Sequence, residues 1–88
     1  MVVHLVLQED VYETCFGDGY FAYLCAAFAD AAAASAWLTV AAQSKEYKYH
    51  LRSGDLHQAP DGSWHLVVTL ADGERATGAE VAKLLGLS

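Results

Sequence analysis

No lysine or arginine occurs before Lys45. The same stretch carries Glu9, Asp10, Glu13, Asp18 and Asp30, so residues 1–44 hold five acidic side chains and no basic ones. Residues 45–88 hold six acids and five bases, which completes the formal net charge of −6. Phosphate backbones are bound through Lys and Arg clusters that release counterions. The densest basic group is Lys45, Lys48 and Arg52, on one short stretch, so direct binding of DNA or RNA is not expected. A basic partner is.

Cysteine is nearly as scarce. Cys15 and Cys25 are too few for a disulfide framework. No positively charged segment precedes the apolar opening, so no secretory signal is read. The expectation is a cytoplasmic protein with two reduced thiols, a Cys15–Cys25 bridge being the alternative. Charge of either sign is also low, at 18% of residues, where about 25% is usual. A surface so poor in charge suggests cover by a partner or a second copy. Residues 20–42 are long enough to cross a bilayer. Yet eleven of them are alanine, which drives insertion weakly, and Asp30 lies near the middle. No membrane span is expected.

What is present reads as a fold. The 88 residues form one domain. VVHLVL, residues 2–7, is β-branched and apolar, a strand buried on at least one face. Gly17-Asp18-Gly19 admits two readings. Asp18 caps a helix beginning near Tyr20, or the three residues form a tight hairpin between VYETCF and YFAYLC. The alanine run that follows favours the helix. On that helix Phe21, Leu24, Cys25, Phe28, Ala32 and Ser35 make the core stripe. Tyr23, Asp30 and Trp37 lie opposite, among Ala26, Ala27, Ala33 and Ala34.

Residues 45–52 alternate strictly, Tyr47, Tyr49 and Leu51 against Glu46, Lys48, His50 and Arg52, as a half-exposed antiparallel strand does. Ser53-Gly54-Asp55 reads as a turn, residues 56–59 as a short strand, and Pro60-Asp61-Gly62 as a second turn. SWHLVVTL, residues 63–70, alternates again, which makes 45–71 a three-stranded meander. Thr77 and Glu80 form a capping box ahead of a last helix with Val81, Leu84 and Leu85 buried and Gly86 at its stop. The fold class is α+β, in the order β-α-β-β-β-α. The sheet is antiparallel or mixed, with a long Ala-rich helix on one face.

No catalytic or cofactor signature emerges. His4, His50, His57 and His65 lack the short ligand pairs of zinc sites, although neighbouring strands could gather His50, His57, His65 and Asp55. No metal and no cofactor are expected. Cys25 reads as a buried helix residue rather than a nucleophile. The segment TGAEVAKLLGLS, with Glu80, Val81, Ala82, Leu85, Gly86 and Leu87, resembles the first helix and turn of helix-turn-helix regulators. The recognition helix would begin at Ser88, so the resemblance implies no DNA binding.

The leading expectation is a non-enzymatic interaction module. Its partner surface is Glu9, Asp10, Tyr12, Glu13 and Asp18, acidic groups around an aromatic anchor that engage a basic protein. In profile the chain resembles small phage-type inhibitors, including anti-CRISPR proteins: short, acidic, one domain, no catalytic motif. That resemblance implies occupation of a basic nucleic-acid-binding site on the partner. Two alternatives stand beside it. One is homo-oligomeric assembly, a dimer being the simplest case, through Tyr23, Ala27, Asp30, Ala34 and Trp37. The other is a small ligand-binding or enzyme module with a pocket lined by Tyr47, Tyr49, His57 or Trp64.

Overall fold

The computed structural model describes residues 1–14, 17–45 and 47–87, and the side chains of all of these except 11–14 and 17–20. The protein is an α+β domain. Its strands are β1 (Val2–Thr14), β2 (Gly17–Phe28), β3 (Tyr49–Gln58), β4 (Trp64–Val68) and β5 (Glu74–Arg75). Helix α1 (Ala31–Ala41) with a short 3-10 turn (Ala42–Ser44) follows β2, and helix α2 (Gly78–Leu84) closes the chain. The sheet order is β4-β3-β1-β2-β5. All neighbours are antiparallel except β5, which runs parallel to β2, so the sheet is mixed.

The helix favoured over residues 20–35 is replaced, up to Phe28, by a strand. Tyr20, Phe21, Tyr23 and Phe28 suit a pleated surface, and β1 supplies an apolar strand that needs a partner. The misleading spacing has a local cause. Val6 pairs with Ala26 but Leu7 pairs with Leu24, so Cys25 is an extra residue in β2. This bulge moves the inward positions from Ala22 and Leu24 to Ala27, a step of three that mimics helical spacing. Gly17, Asp18 and Gly19 lie inside β2, neither a helix cap nor a turn. The cap is Asp30, whose carboxylate accepts the Ala32 N–H at 3.0 Å. Helix α1 starts there, where alanines run on without aromatics.

Residues expected to form three strands of a meander form two. Ser53-Gly54-Asp55 continues β3, pairing with β1 at His4, Val3 and Val2. Glycine is needed within this strand: a Cβ on Gly54 would lie 2.7 Å from the Val67 carbonyl oxygen and 2.8 Å from Val68 Cβ. Here glycine marks close backbone approach, not a turn.

Directly paired residues share a face of the sheet. Val3, Leu5 and Leu7 of β1, Ala22, Leu24 and Ala27 of β2, and Leu56 of β3 form the core face, closed by Val81 and Ala82 of α2. Trp64, Leu66, Val68, Leu70 and Leu85 pack around it. Helix α1 covers part of the opposite face, where Val6 and Ala34 are fully buried. The expected polar side of residues 45–52 is therefore not the solvent side. His50 and Arg52 pair with Leu7 and Leu5 and face the α2 layer, while Tyr49 and Leu51 face the α1 layer.

The capping box forms as read. The Thr77 hydroxyl accepts the Glu80 N–H at 3.3 Å and donates to Glu80 Oε1 at 3.0 Å. Thr77→Ala should cost about 1 kcal/mol. That lowers the melting temperature by about 4–8 °C, measurable by circular dichroism; an unchanged midpoint would show the cap to be idle.

Candidate functional site

Pairing between β1 and β3 ends at Gln8–Tyr49, followed by a bond from the Glu9 N–H to the Lys48 carbonyl at 2.8 Å. Pairing between β2 and β5 covers only Ala22 and Tyr23. Beyond these points β1 and β2 continue alone as an antiparallel arm, closed by the Thr14–Gly17 pair. Among the described residues, the β1–β3 and β2–β5 ladders do not reach Asp10–Thr14 or the segment 17–20. Glu9, Asp10, Tyr12, Glu13 and Asp18 all lie on this arm or at its root. The register sets Tyr12 opposite Gly19 and Glu13 opposite Asp18. An isolated two-stranded ribbon is itself only marginally stable in water.

Alternation splits the acidic set. Glu9 pairs with Ala22 and faces the α2 layer, whereas Asp10 pairs with Phe21 on the other face. The Glu9 carboxylate is mostly buried and lies 2.9 Å from His50 Nε2. Glu9 is thus a fastening of the arm's root to β3, not an exposed contact. Next to it Arg52 grips Glu74 of β5 through two bonds, Nε to Oε1 at 2.9 Å and Nη2 to Oε2 at 2.6 Å. The Ala71 N–H donates to Oε1 at 2.9 Å. Burial alone would raise the Glu74 pKa. The bonds from Arg52 and Ala71 and the positive charge of Arg52 outweigh it, and the carboxyl lies below its ordinary value. Periodicity missed this network, because His50 and Arg52 sit on the half of β3 read as solvated.

The proposed association face is not one helix surface. Tyr23 and Ala27 belong to β2, and Ala27 is in the core. Tyr23 is exposed and accepts a bond from Gln8 Nε2 at 2.9 Å. Asp30 caps α1 and Ala34 is buried beneath it. Trp37 sits between Phe28 and Tyr49, with ring centroids 6.4 and 5.4 Å away, edge-on to Tyr49. The remaining outer surface of α1 holds an open apolar groove of about 650 Å³, lined by Phe28, Ala33, Ala36, Trp37, Val40 and Ala41.

The residues of the expected ligand pocket are dispersed. Trp64 packs on the α2 side, Tyr49 on the α1 side, and Tyr47 and His57 are exposed. No family model, no curated protein and no solved structure matches this chain. Cys25 donates to the Val6 carbonyl at 3.4 Å. Burial pushes its thiol pKa up, away from nucleophilic thiolate chemistry. Cys15 lies outside the described residues, and so does any bridge to it. No described helix is long and apolar enough to cross a membrane.

Proposed function

We propose that this protein is an acidic interaction module whose β1–β2 arm docks on a basic protein partner. In its sharper form the arm occupies a nucleic-acid-binding surface of that partner, as the resemblance to phage-type inhibitors implies. The observation that carries the reading is the arm itself: a two-stranded extension beyond the last β1–β3 and β2–β5 pairs, bearing Asp10, Glu13 and Asp18 and no basic residue. A cationic partner complements the acidic residues of the arm, and its backbone can extend either edge as an added strand. Carboxylates steer the encounter and fix its register.

The test compares two baits on host lysate. One is the wild-type protein and the other carries Asp10→Lys, Glu13→Lys and Asp18→Lys; Glu9 is left in place because it fastens the arm. Wild type should retain a basic protein that elutes as salt rises, since exposed charge pairing is screened. The reversed bait should hold it about tenfold or more weakly. Equal retention by both baits at low salt would defeat the proposal. A second reading, self-association, is favoured by the groove on α1, since residues 31–44 carry no charge. Under that reading both baits elute as dimers in size-exclusion chromatography, and Val40→Asp makes them monomers.

A further inference from the structure

We propose that His57 and His65 form a surface site for a late first-row divalent cation, copper(II) or zinc(II), that pins β4 to β3. The two residues are directly opposite in the β3–β4 register. Both are exposed, and their rings stack with centroids 5.5 Å apart and 19° between planes. Imidazole suits both metals, and the proposed ion takes one nitrogen from each of these two rings on the same face of the sheet.

A second observation concerns the state in which His65 is held. Asp61 Oδ1 accepts the Ser63 N–H at 2.9 Å and lies 2.6 Å from the Ser63 hydroxyl. The hydroxyl has one proton, and the short bond to the carboxylate uses it. Ser63 Oγ is 3.1 Å from His65 Nε2 and has only lone pairs left to offer. His65 Nε2 must therefore donate, which leaves the Nδ1 lone pair available to a metal. A carboxylate acting on a histidine's far nitrogen is the outer arrangement that orients metal ligands; here a serine relays it. Asp55 adds negative charge beside His57, although the Met1 ammonium, 2.9 Å from Asp55 Oδ1, offsets part of it.

Among the described residues no group of three or more His, Cys, Asp or Glu side chains is placed to hold a metal ion. The site is therefore a two-histidine chelate completed by water, and its affinity is modest. The ion binds only where the two strands are paired, so it stabilises the folded state by mass action.

The experiment titrates copper(II) sulfate and zinc chloride into the metal-stripped protein, followed by calorimetry, thermal unfolding and histidine NMR signals. One ion per chain should bind, copper more tightly than zinc, zinc shifting and copper broadening the His57 and His65 signals, and each raising the melting temperature. His57→Ala and His65→Ala should each weaken binding by about tenfold or more, and Ser63→Ala by about tenfold. His50→Gln, on the opposite face of the sheet, should bind like wild type. Undiminished affinity in the His57→Ala/His65→Ala double variant would overturn the assignment, as would no binding at millimolar metal.

Discussion

Arg52→Met should destabilise the protein by about 3 kcal/mol at neutral pH, the low end for breaking a buried ion pair. The Glu74 side chain is 1% exposed, whereas Arg52 keeps 31% of its side chain in water. Removing the guanidinium leaves a buried carboxylate with one backbone donor, the Ala71 N–H. A domain of this size has a total stability of about 5–10 kcal/mol, so the loss is a large part of the whole. The melting temperature should fall by more than about 10 °C. Arg52→Met combined with Glu74→Leu removes both charges and should recover most of the loss, because an apolar pair tolerates that site. A double variant as unstable as the sum of the two single ones would show that the ion pair is not the coupled unit.

The pH dependence has a definite sign. Glu74 has a folded-state pKa below its unfolded value. Its contribution is present above the unfolded carboxyl pKa, about 4.3, and is lost as pH falls through the folded value. In Arg52→Met the guanidinium no longer opposes burial, so the Glu74 pKa rises from its wild-type position. Protonation then relieves the buried charge at a higher pH than in wild type. The stability gap between wild type and variant should narrow as pH is lowered from 7 towards 4, measured by urea unfolding. A gap constant with pH would place the damage in lost packing of the Arg52 stem rather than in charge.

Legibility in the sequence followed burial. The strand at Val3, Leu5 and Leu7, the alternation of Trp64, Leu66 and Val68, and the box at Thr77 and Glu80 each have one dominant local signal, and all three are found as read. The long hairpin did not have one. Cys25 inserts a residue into β2, and the resulting step from Leu24 to Ala27 imitates a helix beside a true run of helix formers. Ser53-Gly54-Asp55 has turn composition, but β4 needs a residue without Cβ at Gly54. For the candidate site, acidity was legible and geometry was not. Glu9 and Asp10 are neighbours in sequence, yet pleating sends them to opposite faces, one onto His50 and one away from it. Only the end of β1–β3 pairing, a property of three segments together, makes an arm of Asp10–Thr14 and Gly17–Phe21.

Gly78→Ala sets two rules against each other, and packing should win. Gly78 is the first residue of α2, and alanine at a helical position is favoured by about 1 kcal/mol on propensity alone. A Cβ at this position would lie 2.5 Å from the Trp64 carbonyl oxygen and 2.7 Å from its carbonyl carbon. Both atoms are backbone of β4, which is held in the ladder with β3 and cannot give way by rotating a side chain. The helix must lift instead, and it carries Val81 and Ala82, the fully buried cover of Leu5, Leu7 and Leu56. The expected net cost is about 1–2 kcal/mol, the upper part of the roughly 1–3 kcal/mol range for forcing atoms into a filled interior less the propensity gain. Unfolding in urea measures it, and Trp64 emission in a Trp37→Phe background should move towards longer wavelength as the ring gains water. Ala79→Gly supplies the contrast. Ala79 is exposed on the same turn and should lose only the propensity difference of about 1 kcal/mol. If Gly78→Ala proves more stable than wild type, α2 is not seated on the β4 backbone. If it is destabilised by more than Ala79→Gly, the docking of the last helix rests on the absence of one methyl group.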